Sequence, residues 1–233
     1  MPIIHYIAGW PMVEALLVSL TMVWMVALGS SLAHSGEGHA NKIAANAGRI
    51  TAVPAAVIGT LFAWLAMEYV SVLLIKIFMA GVLIFVIERN LKTSQTVSGG
   101  GDFISKYKAS CAFGGLTSGL LGIGGGAIYV TINRRIAGFD SRTSAGTSYL
   151  IEAVVVPVAL LSHLLVDGSL GDVLEKTGYL AAIVVPALAF GSAYFGAKNA
   201  IKYLPIRIVK WVFIVAVSAS LGRYLWDIGS RLL

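Results

Sequence analysis

The sequence predicts an all-α integral membrane protein with about seven transmembrane helices plus an N-terminal stub. Three observations predict it. Of 233 residues, 58% are hydrophobic and 12% charged, against roughly 25% charged in soluble domains. The mean hydropathy of +0.85 reflects more apolar surface than a soluble fold of this size can cover. Apolar runs near spanning length, about 20 residues, recur between short linkers that hold most of the charge.

Met1–Gly9 is too short to span. It has neither a basic n-region nor a small-residue cleavage pattern, so the first helices serve as their own insertion signals. The predicted spans are Met12–His34, Ile50–Met67 and Ser71–Ile87, then Ala109–Ile132, Thr143–Val166, Thr177–Ala197 and Ile208–Trp226. Ser71–Ile87 is short and holds Lys76, which can snorkel to the interface. The polar stretch Glu88–Lys108, with Gly99, Gly100 and Gly101, reads as a flexible connector. Basic residues fall on both sides of the membrane, so the positive-inside bias sets no orientation. The net charge of +6 suits contact with anionic headgroups. No basic run supports nucleic-acid binding, and Cys111, the single cysteine, reads as a packing residue.

The chain repeats itself. Gly9, Ser19 and His34 are matched by Gly138, Ser148 and His163 at one constant spacing. Pro54 and Gly59 are matched by Pro186 and Gly191, and Lys76 and Arg89 by Lys210 and Arg223. The spacing grows only across loops. The predicted units are two homologous four-helix repeats, residues 1–89 and 109–233, joined by a loop at 90–108. Met1–Gly9 aligns with Val130–Gly138, just after the glycine-rich opening helix of the second repeat. The first repeat is therefore expected to be N-terminally incomplete, through a start codon placed late or through a genuine truncation. Internal repeats are typical of secondary transporters, whose sites lie at the repeat interface.

The most informative stretch is GGLTSGLLGIGGGAIYVTI, Gly114–Ile132. Glycine costs about 1 kcal/mol against alanine inside a helix, and Gly124, Gly125 and Gly126 are consecutive, with Gly122 close by. A break is expected there. Broken backbone inside a membrane survives where it is buried in protein or lines a cavity, and its freed N–H groups suit an anion. No Lys-Ser/Thr pair follows the glycines, which excludes a Walker loop, and the long apolar context excludes a dinucleotide fold.

Here the sequence resembles the TauE/SafE family of sulfite-exporter-like permeases. The resemblance rests on SGLLGIGGGAIYV at Ser118–Val130, on Ala145-Gly146-Thr147-Ser148 opening the next helix, and on His163 near its end. It extends to the Phe190–Lys198 helix and the last helix, and so covers essentially the whole chain. The family pattern continues into Val-Pro where this chain has Val130-Thr131. The resemblance implies secondary transport of a small anion such as sulfite, an organosulfonate or an organic acid. It also implies a multi-pass protein of a bacterial inner membrane.

The expected substrate-binding set is Gly122, Gly124, Gly125, Gly126, Thr147, Ser148 and the repeat counterpart Ser19. Glu152 lies mid-span, where an ionisable group needs a cavity or a partner, and is a candidate proton carrier. His163 and His34 end equivalent helices and are further candidates, although a helix C-terminal dipole alone favours histidine there. No metal-ligand spacing occurs, and no cofactor is expected. Two other readings stand beside transport. One is an intramembrane serine hydrolase with a Ser118/His163 dyad, and the other is an anion channel.

Overall fold

The computed structural model describes residues 4–5, 8–69, 72–91 and 103–232. The longer elements are α1 (Met12–Gly36), α2 (Lys42–Tyr69), α3 (Val72–Leu91), α4 (Phe103–Leu121), α5 (Gly126–Arg135), α6 (Ser141–Asp167), α7 (Leu170–Thr177), α8 (Tyr179–Tyr203) and α9 (Ile206–Leu232). No strand occurs among the described residues. By length and apolarity, α1, α2, α6, α8 and α9 can cross a membrane.

Membrane helices tolerate internal proline because neighbouring groups satisfy the freed carbonyls. Pro54, Pro157 and Pro186 accordingly sit inside α2, α6 and α8. Helix α6 has an explicit start and stop. The Asp140 carboxylate accepts the Arg142 and Thr143 N–H groups, and Gly168 closes the helix in the left-handed region at φ 64°.

The tightest packing joins α2 to α4. A Cβ at Gly115 or Gly119 would collide with the carbonyls of Ala52 or Ala56, and one at Gly59 with that of Leu116. Small residues thus bring the two backbones into contact, where lipid supplies no hydrophobic drive for association. Helix α1 packs on α6 and α8, α2 on α6, and α3 on α9. Leu16, Leu20, Leu121, Tyr129, Ile151 and Val155 are fully buried between these helices. Leu180, Ile183, Leu188, Phe195, Trp211 and Trp226 face outward, as a lipid-solvated surface requires.

The break expected within the predicted span Ala109–Ile132 is present: the chain leaves helical geometry between Leu121 and Gly126. Two expectations are corrected. The predicted loop Glu88–Lys108 is helical at both ends, in α3 to Leu91 and in α4 from Phe103, while Gly99–Gly101 lie outside the described residues. Lys76 is no interfacial anchor. It is fully buried and its Nζ lies 2.7 Å from Asp227 Oδ2, linking α3 to α9.

Candidate functional site

The break between α4 and α5 is built by glycine. Gly122, Gly124 and Gly125 hold φ of 64°, 76° and 71°, a region that costs other L-residues about 1–2 kcal/mol. Gly122 N–H closes α4 on the Ser118 carbonyl. Hydrogen bonding then resumes with Ile128 and Tyr129 N–H, both to the Gly125 carbonyl. The N–H groups of Gly126 and Ala127 precede those bonds, at the positive end of the α5 dipole.

Flanking helices hold both ends of the break. Ser19 of α1 donates to the Gly122 carbonyl at 2.9 Å. Ser148 of α6 lies 3.1 Å from the Gly126 carbonyl and 2.7 Å from Glu152 Oε1. The Glu152 carboxylate rests against the first residue of α5: a Cβ at Gly126 would lie 2.7 Å from Oε1 and 2.8 Å from Oε2. A Cβ at Gly124 would lie 3.3 Å from Oε2 and would collide with Val23. Small residues at both positions are what let the carboxylate reach the helix start. Glu152 is 4% exposed, so helix dipole and serine hydroxyl stand in for water around it.

The fold therefore brings together Gly122, Gly124, Gly125, Gly126, Ser19, Ser148 and Glu152. Thr147 is elsewhere. Helix α6 begins at Ser141, not at Ala145, and the Thr147 hydroxyl accepts the Asn41 N–H at 3.0 Å, at the start of α2. His163 is fully buried and its Nε2 lies 2.7 Å from the Gly119 carbonyl, joining α6 to α4. His34 lines a separate cavity with Tyr149, their ring centroids 5.6 Å apart. The Ser118–His163 dyad is not formed, since Ser118 Oγ is buried without a hydrogen-bond partner.

The contacts of two supporting residues escaped sequence reasoning. Asn133 accepts from the Tyr107 hydroxyl at 2.7 Å and donates to the Ser144 carbonyl at 3.0 Å, tying α4, α5 and α6 together. Asn133 directly follows the predicted span Ala109–Ile132 and precedes Arg134 and Arg135, so the sequence marks it only as a polar span end. Thr131, where the family pattern has proline, accepts from Asn90 Nδ2 at 3.0 Å and so couples α3 to α5.

A polytopic helical bundle with an interrupted helix, and a buried carboxylate at the interruption, has the construction of a membrane transporter. Residues 1–224 match the family Sulfite exporter TauE/SafE, and the chain belongs to that family. It is a multi-pass membrane protein of a transporter family. Comparison with curated proteins and with solved structures finds no match.

Proposed function

We propose that this protein is a secondary transporter that moves a small anion (sulfite, an organosulfonate or an organic acid) across the bacterial inner membrane by way of the α4–α5 break. The observation that carries the reading is the Glu152 carboxylate against the first residue of α5. A helix start inside a bundle is a site for negative charge, and here a resident carboxylate fills it. Ionised Glu152 excludes a second anion by like-charge repulsion. Protonated Glu152 leaves the helix start free for substrate. Proton and anion then share one site, which is the elementary requirement for coupling them. Among the residues first considered for proton coupling, Glu152 takes that role, and His163 serves to hold α6 to α4.

We further propose that seven spans, with α4 and α5 forming one interrupted span, arise from two repeats at 1–89 and 109–233. The pairing of helices supports this reading. Under the repeat, α1 corresponds to α6, α2 to α8 and α3 to α9. The contacts α1 with α8 and α2 with α6 are then counterparts, while α1 with α6 and α3 with α9 are self-matched. Gly9 and Gly138, matched in sequence, hold φ of 71° and 69°.

The test is flux into proteoliposomes containing the full chain. Uptake of sulfite or a short alkanesulfonate should saturate, as a carrier's does and a channel's does not, and should respond to a proton gradient. Glu152→Gln should abolish the gradient response. Absence of any anion flux would overturn the transport reading, and an intact gradient response in Glu152→Gln would overturn the coupling.

A further inference from the structure

The cavity that His34 and Tyr149 line lies between the C-terminal part of α1, the start of α6 and the later part of α8. Its volume is about 400 Å³. Small-molecule sites span ~300–1,000 Å³, whereas a water occupies ~30 Å³.

The polar wall is cationic in character. Arg142, His34, Ser30, Ser141, Tyr149 and Ser192 line it, and among the described residues no carboxylate does. Among the described residues Arg142 has no ion-pair partner, and its Nη2 makes a single long contact, 3.3 Å, with the Leu204 carbonyl. The nearby Asp140 carboxylate is occupied by the N-cap of α6 and the Thr143 hydroxyl. His34 is 7% exposed, yet its Nδ1 has no hydrogen-bond partner. A buried nitrogen left in that state costs about 1–3 kcal/mol. The Tyr149 phenol faces the Ser30 hydroxyl. The rest of the wall is apolar, with the alanine side chains of α6 and α8 beside Val26, Ile201 and Val209.

We infer that this cavity binds a small organic anion, with a carboxylate or sulfonate head and a short apolar body. The planar guanidinium of Arg142 presents two parallel N–H donors to such a head. A neutral His34 with its proton on Nδ1 donates a further bond, and Ser30 or Tyr149 another. The alanine wall takes the apolar body, which inorganic sulfite lacks. The cavity is distinct from the α4–α5 break: Tyr149 faces it, whereas Ser148 and Glu152 face the glycines. Binding here stands on its own. Only the role of the site as an antechamber for the transported anion rests on the transport reading.

The test is equilibrium binding of radiolabelled butanesulfonate to the full chain in nanodiscs of zwitterionic lipid. Saturable binding is expected, weakened at least tenfold in Arg142→Gln and in His34→Phe, which keeps a ring beside Tyr149. Arg142→Lys should recover part of the loss, which a misfolded protein cannot do. Leu180→Ala, at an outward-facing residue that does not line the cavity, should bind within twofold of the parent. Unlabelled sulfite should compete at least tenfold more weakly than butanesulfonate, and butanol should not compete. The proposal is overturned by no binding in the parent, by full binding in both Arg142→Gln and His34→Phe, or by butanol competing as well as the sulfonate. Binding in nanodiscs, with no anion flux when the same protein is reconstituted in proteoliposomes, would leave this site standing and overturn transport instead.

Discussion

The Ser148 hydroxyl has one proton and two acceptors in reach, the Gly126 carbonyl and Glu152 Oε1. When Glu152 is ionised, the proton is drawn to the carboxylate, because charge-assisted bonds are the stronger ones. When Glu152 carries its own proton, it donates to Ser148 Oγ, and Ser148 turns to the Gly126 carbonyl. The protonation state of one side chain is thereby passed to the first residue of α5. Gly126→Ala would press a methyl group into the carboxylate, and Gly126→Ala with Glu152→Ala would relieve that pressure. The two substitutions should therefore be non-additive in thermal unfolding of the detergent-solubilised protein, with a coupling of about 1 kcal/mol, as residues in contact give. Gly124→Ala adds left-handed strain to a collision with Val23 and should slow flux at least tenfold while leaving helix content by circular dichroism unchanged. The glycines and the mid-span carboxylate were legible in the sequence, because glycine clusters and buried charge are costly wherever they stand. Thr147 was not, because the partner of a hydroxyl depends on which loop folds over it, here the one carrying Asn41.

Among the elements, α6 carries more of the site than any other, so its start matters. Burial raises the Asp140 carboxyl, but the Thr143 hydroxyl, the N–H groups of Thr143 and Arg142, and the charge of His39 outweigh it and hold the group below its ordinary 3.8. A carboxyl depressed in the folded state stabilises above its unfolded value, and that contribution is lost as the pH falls through the folded value. Asp140→Ala should cost about 1 kcal/mol at neutral pH. The gap between variant and parent, read as melting temperature against pH, should narrow below about pH 4. Element boundaries were less legible than the break. Nothing in the polarity of Phe103–Lys108 marks it as helix. Its Tyr107 is buried against Asn133, a contact that exists only once α5 has folded beside α4.

For the molecule as a whole, lipid replaces water as the outer solvent, and the few charges inside must be matched. Helix α9 packs on α3, and Lys76 with Asp227 forms an ion pair between them. Removing one partner of a buried pair costs about 3–5 kcal/mol. Lys76→Met should therefore lower thermal stability sharply, read as the melting temperature of the detergent-solubilised protein. The sequence marked Lys76 as an oddity in an apolar span but could not supply its partner, which lies 151 residues away. A different long-range link bears on motion. The two matched serines, Ser19 on α1 and Ser148 on α6, hold the carbonyls at opposite ends of a single five-residue strip of glycine-rich backbone. Any sliding of α1 against α6 must pull on that strip from both sides. The break is thus a strain gauge mounted across the bundle, registering the relative position of two helices in its own backbone.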